Sequence, residues 1–136
     1  MSPDEAKEEL ARRADAIEGG YEMMLAYAAQ GLATDQGAAN SNQLRDHLDR
    51  FDDALTGLSQ AYRDCAAALG VGPKDALDGF LKTLERDAAT TQAALRLVMG
   101  QAGISSQMID NINASIHVRA LLTDVFIIDE ILKHKL

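Results

Sequence analysis

Between Leu44 and Leu69 the apolar residues fall at Leu44, Leu48, Phe51, Leu55, Leu58, Tyr62, Cys65 and Leu69, in steps of 4-3-4-3-4-3-4. That period gathers all of them on one stripe of an α-helix, whereas on a strand they would scatter over both faces. A stripe sustained for so long needs a partner along its whole length, so the chain must pack helix against helix. Ser41 is placed to start this helix and Gly70 to close it, which predicts a helix over 41–69.

The rest of the chain repeats the pattern. Leu10, Ala14, Ile17, Tyr21, Met24 and Ala28 alternate steps of 4 and 3. Ser2 and Glu5 are spaced as a capping box, Pro3 lies at the first helical position, and Gly31 suits the residue just beyond the end. These features predict a helix over about 3–30. Leu77, Leu81, Leu84, Ala88, Thr91, Leu95 and Val98 predict another over 73–99, opened at Pro73 and closed by Gly100 and Gly103. The last segment, about 105–134, carries two seams. One reads Ala114, Val118, Leu121, Val125, Ile128, Leu132, and the other Ile109, Ile112, Ile116, Ala120, Ile127, Ile131. A helix apolar over most of its circumference exceeds what one bundle core can cover, so part of it is expected to meet another molecule.

Short connections between four such helices make an antiparallel up-down-up-down four-helix bundle the expected fold, as a single domain over 1–136. With 136 residues, such a chain can bury about two thirds of the surface it exposes when unfolded. Aromatics are only 4% and Trp is absent, so the core must come from Leu, Ile, Val, Met and Ala packed closely.

Thirteen basic residues against 21 acidic ones give a net charge of −8. The acid is dispersed, which suits solubility and repels nucleic-acid phosphates and anionic lipid, so neither is expected as a partner. Cys65 is the single cysteine, which rules out an intramolecular disulfide and makes the cytoplasm the expected compartment. Met1 to Leu10 has neither a basic nor an apolar signal region. The most apolar run, Ala120 to Leu132, is broken by Asp124, Asp129 and Glu130 and is too short to span a bilayer.

Two groupings follow from the antiparallel order. Met23, Met24, Met99 and Met108 converge at the end that holds the loops 31–40 and 100–104. They are candidates for an adaptable partner surface, or for gap-filling where helices splay. Tyr21, Phe51, Thr91, Ser115 and His117 fall in a middle layer beside Gly19 and Gly20, two glycines whose helical cost of about 1 kcal/mol each calls for compensation. A close helix crossing, a polar layer that fixes register, or a small-ligand pocket would each supply it.

Catalytic motifs are missing. None of His47, His117 and His134 follows a Glu by three residues, and no His-x-x-x-His, Cys-x-x-Cys-His, Gly-x-Ser-x-Gly or phosphate-binding glycine motif occurs. No metal and no cofactor is expected. The charged run Arg45 to Asp53 reads as a solvated helix face, with Asp46 and Arg50 paired. Cys65 on the seam reads as a small buried hydrophobe. The expectation is a non-enzymatic interaction or regulatory protein, homodimeric through Phe126, Ile127 and their neighbours, with a ligand-binding bundle as the alternative.

Overall fold

The computed structural model describes residues 2–135 and is all-helical, with no strand among them. Helix α1 spans Pro3–Ala29, α2 Ser41–Leu55, α3 Leu58–Leu69, α4 Lys74–Met99, α5 Ser106–Ala114 and α6 Ile116–Lys133. Two of the four expected helices are therefore interrupted: 41–69 divides at Thr56–Gly57, and 105–134 divides at Ser115.

Helix α1 begins as its sequence predicts. The Glu5 N–H donates to Ser2 Oγ at 3.2 Å, and the Ser2 hydroxyl donates back to Glu5 Oε1. Arg13 donates to Glu9 at 2.9 Å one turn away, and Gly31, at φ 66°, turns the chain out of the helix.

The first break has a backbone cause. Gly57 sits at φ 76°, in the left-handed region where an α-helix cannot continue, and Thr56 before it is extended. Carbonyls freed by the break are satisfied from both sides. Arg13 on α1 donates to the carbonyls of Ala54 and Thr56 at 2.9 and 2.6 Å. Gln92 on α4 donates to the Asp52 carbonyl at 3.0 Å and to Thr56 Oγ1 at 2.8 Å. Leu55 and Leu58 are both buried, so the heptad seam runs through the break undisturbed. That is why the spacing alone predicts one helix.

At the second break Ser115 is extended (φ −67°, ψ 147°) and caps α6 by accepting from the Val118 N–H at 3.3 Å. The break settles which of the two competing seams is used. Before it, Ile109 and Ile112 of the second seam are buried. After it, the first seam takes over, and Val118, Leu121, Val125, Ile128 and Leu132 are buried. The continuation of the second seam is turned outward.

Bonded pairs fix the relative directions of the elements. Along α4 the partners on α2 and α3 run backwards: Met99 with Arg45, Arg96 with Asp52, Leu81 with Ser59 and Asp78 with Arg63. On the other side Thr91 meets His117, and Asp87 meets Asp124 further along α6. Helix α1 contacts α2, α3 and α5. The crossing of α1 with α2 is close. A Cβ at Gly20 would lie 2.6 to 3.0 Å from three atoms of Phe51, which is fully buried. The glycine is required because the ring rests on the helix backbone.

Candidate functional site

The residues that the second break turns outward form the most unusual surface of the molecule. Ile116 is 75% exposed, Phe126 66%, Ile127 48% and Ile131 43%. All four lie on α6, opposite its buried stripe. Spacings of eleven residues between Ile116 and Ile127, and four between Ile127 and Ile131, keep these three nearly in line, with Phe126 alongside. Arg119, Glu130 and Lys133 are exposed on the same helix. At its C-terminal end the apolar face continues into a groove of about 160 Å³, between α6 and the start of α4, lined by Val71, Pro73, Leu77, Phe80, Ile128 and Ile131. Scattered exposed hydrophobics are ordinary, but here several share one helix beside an apolar groove.

The middle layer expected from sequence is assembled only in part. Phe51 packs on Gly20 and fills the space where a pocket would open. Thr91 is fully buried, and its hydroxyl is shared between the carbonyl oxygens of Asp87 at 2.9 Å and His117 at 3.3 Å. Ser115 is a helix cap, the His117 side chain is exposed, and Tyr21 is half-buried against the core. The compensation for Gly20 is thus a close helix crossing, and Thr91 holds backbone, tying α4 to the start of α6.

The methionines are likewise divided. Met24 is fully buried, Met23 and Met99 are half-buried against the core, and Met108 is 37% exposed. They therefore present little joint surface. Their end of the molecule is fastened by polar contacts that the sequence does not announce. Asp35, in the loop after α1, is 1% exposed. Its carboxylate accepts from the Ile104 N–H, from Ser41 Oγ and from Arg45 Nε, each at 2.8 Å. The Arg45 guanidinium beside it holds the carboxyl well below the usual carboxylate range. Arg45 also donates to the carbonyls of Met99 and Gln101 at 3.2 Å. Tyr27 donates to the Ile104 carbonyl, and Ser106 donates to the Tyr27 carbonyl at 2.7 Å. Arg45 is thus a tie between two loops, not part of a solvated face. Asp52 departs from that reading too, because Arg96 donates to both its oxygens at 3.1 Å. Asp46 and Arg50 pair as expected, at 2.7 Å.

One further charge cluster joins α4 to α6. Asp124 Oδ2 is buried without a donor, and the carboxyl faces that of Asp87. Burial and the neighbouring carboxylate push Asp124 up to about 7. On the opposite flank of α6, Tyr62 of α3 donates to Asp129 at 2.7 Å. Burial also pushes up the Cys65 thiol, which therefore carries little thiolate. No cluster of three or more metal-ligating side chains occurs among the described residues, and no helix there is long and apolar enough to cross a membrane.

Comparison with protein-family models, with curated proteins and with solved structures finds no match to this chain.

Proposed function

We propose that the chain is a non-enzymatic interaction protein of the cytoplasm, built as an antiparallel four-helix bundle, that binds its partner through the outer face of α6. In this reading α2 with α3, and α5 with α6, count as single rods with a joint, and α1 and α4 are the two straight ones. The antiparallel partners along α4 support that count. The observation that carries the function is the exposure of Ile116, Phe126, Ile127 and Ile131 on one face of one helix. Burying such side chains contributes about 1.5–3 kcal/mol each relative to leaving them in water, so a partner that covers the face gains substantially. The alternative, a ligand bound in the middle layer, has less support because Phe51 occupies the space at Gly20.

A photoreactive phenylalanine analogue in place of Ile127, activated in the living cell, tests the reading. Covalent adducts are expected at Ile127, and they should disappear when Phe126→Glu is added. As a control the analogue is placed at the exposed Ala93 of α4. Equal adduct formation at the two positions, or adducts indifferent to Phe126→Glu, would overturn the proposal.

A further inference from the structure

We infer that the partner on this face is a second copy of the chain, with the two α6 helices lying antiparallel about a two-fold axis at the level of Val125. The inference rests on the reading of α6 as the interaction face and commits it to an occupant and a register.

Charge decides the orientation. The charged side chains of the outer face are Arg119 and Glu130, and Glu130 touches His134 at 3.1 Å; Lys133 and Asp129 lie together on the flank toward α1 and α3. Arg119 forms no ion pair among the described residues. In a parallel pair each residue would face its own copy, setting Arg119 against Arg119 and Glu130 against Glu130. An antiparallel pair centred at Val125 sets Ala120 level with Glu130 of the second copy, because both lie five residues from the centre. Arg119, beside Ala120, then meets that Glu130, and the two-fold axis makes the contact twice. Thr123 comes level with Ile127 of the second copy, and the two Phe126 rings approach each other across the axis.

The same register accounts for the groove. Residues Ile116 to Arg119 of one copy lie level with Ile131 to His134 of the other, where the cleft between α6 and α4 opens. Ile116, the most exposed of the large apolar side chains on α6, is level with His134 and so lies about one turn beyond Ile131, beside the end of a cavity of about 160 Å³ lined by Phe80, Leu77 and Ile131. A dry apolar cavity of about 150 Å³ holds a benzene ring, so an isoleucine side chain is well within its capacity. Helix α6 is about 27 Å long at 18 residues, so an antiparallel pair can run in contact along the whole helix. Overall charge points the same way. The chain carries −8, yet the outer face of α6 sets one base, Arg119, against one acid, Glu130, so pairing there keeps the acidic remainder of each copy apart.

Charge reversal tests orientation and partner together. The wild-type chain at micromolar concentration should sediment at about twice its 14.6 kDa. Arg119→Glu alone and Glu130→Arg alone should each dissociate at least about tenfold more readily, since two attractive contacts become repulsive. An equimolar mixture of the two variants should recover the dimer as a heterodimer, because each of its two contacts across the axis again sets an acid against a base. Oxidation of Phe126→Cys should link two chains, and oxidation of Ile116→Cys should not. Recovery in the mixture supports the inference. A dimer indifferent to both reversals, or one linked through Ile116→Cys, overturns the register. If such a dimer is still dissociated by Phe126→Glu, the face itself stands. A monomer at every concentration overturns the second copy as partner, and the adducts at Ile127 then decide the face independently.

Discussion

Replacing each of three helical glycines by alanine should give different outcomes, and the structure fixes the order. Gly79 lies inside α4 with nothing within 4 Å of an added Cβ. Alanine there removes unfolded-state freedom and supplies better helix propensity, so stability should rise by about 0.5–1 kcal/mol. A Cβ at Gly19 would rest 3.5 Å from the His47 ring, an ordinary contact, and the same gain should survive. At Gly20 the added methyl would lie 2.6 Å from Cδ2 and 2.8 Å from Cβ of Phe51. Phe51 is fully buried, and its Cβ is fixed to the α2 backbone, so the ring cannot swing clear. Separation of α1 from α2 by some tenths of an ångström is the remaining response. Overpacking of this kind costs about 1–3 kcal/mol and outweighs the propensity gain. Urea titration followed by circular dichroism reads all three, and the midpoints should fall in the order Gly20→Ala below wild type below Gly79→Ala, with similar slopes. A Gly20→Ala chain as stable as Gly79→Ala would refute the close crossing and return the middle layer to the pocket reading.

Two carboxylates should give opposite pH dependences. Asp35→Ala should destabilise the fold by about 3–5 kcal/mol near neutrality, because Arg45 and the Ile104 N–H lose their acceptor. Since the folded-state pKa of Asp35 is depressed, its contribution is present above the ordinary value of 3.8 and is lost as pH falls below it. Denaturant midpoints of wild type and variant should therefore converge in acid; parallel profiles would refute the role. Asp124 is raised from 3.8 to about 7. Its protonated form is the one the fold accommodates, so this contribution is fully present below about 4 and is lost as pH rises through about 7. Asp124→Asn should therefore stabilise the chain at pH 8 by about 1–3 kcal/mol, a figure reduced for partial solvent screening. It should also flatten the profile between pH 5 and 8, and an unchanged slope there would count against the carboxyl pair.

The buried stripes were legible from spacing because helix packing reads period alone. Leu44, Leu48, Phe51, Leu55, Leu58, Tyr62 and Cys65 are all buried. The breaks were not legible, since Gly57 falls where the 4-3 steps continue unaltered and Ser115 lies between Ala114 of one seam and Ile116 of the other, so apolar spacing passes it without a gap. Their traces are small: a glycine preceded by a β-branched residue, and a serine following Asn113 and Ala114. Phe126 and Ile127 were readable as surplus to one core, because a helix has only one inner stripe. Asp35 was not readable. Its burial depends on Arg45, ten positions later, and on the amide of Ile104, 69 positions later, a meeting arranged by the fold and absent from local pattern.

Adjacent residues of α4 reach both breaks: Thr91 contacts the carbonyl of His117, and Gln92 contacts Thr56. Both interruptions therefore lie at one height along the molecule and are pinned to the same straight rod. A helix transmits bending only as far as its hydrogen-bond ladder is continuous. The ladder of α6 begins anew at Ser115 and is not continuous with that of α5, whose far end is locked to Tyr27 and Leu32 through Ser106. The molecule is in this sense jointed at mid-height. One storey is clamped by its loops, and the other holds α6 through its buried stripe and the Tyr62–Asp129 contact.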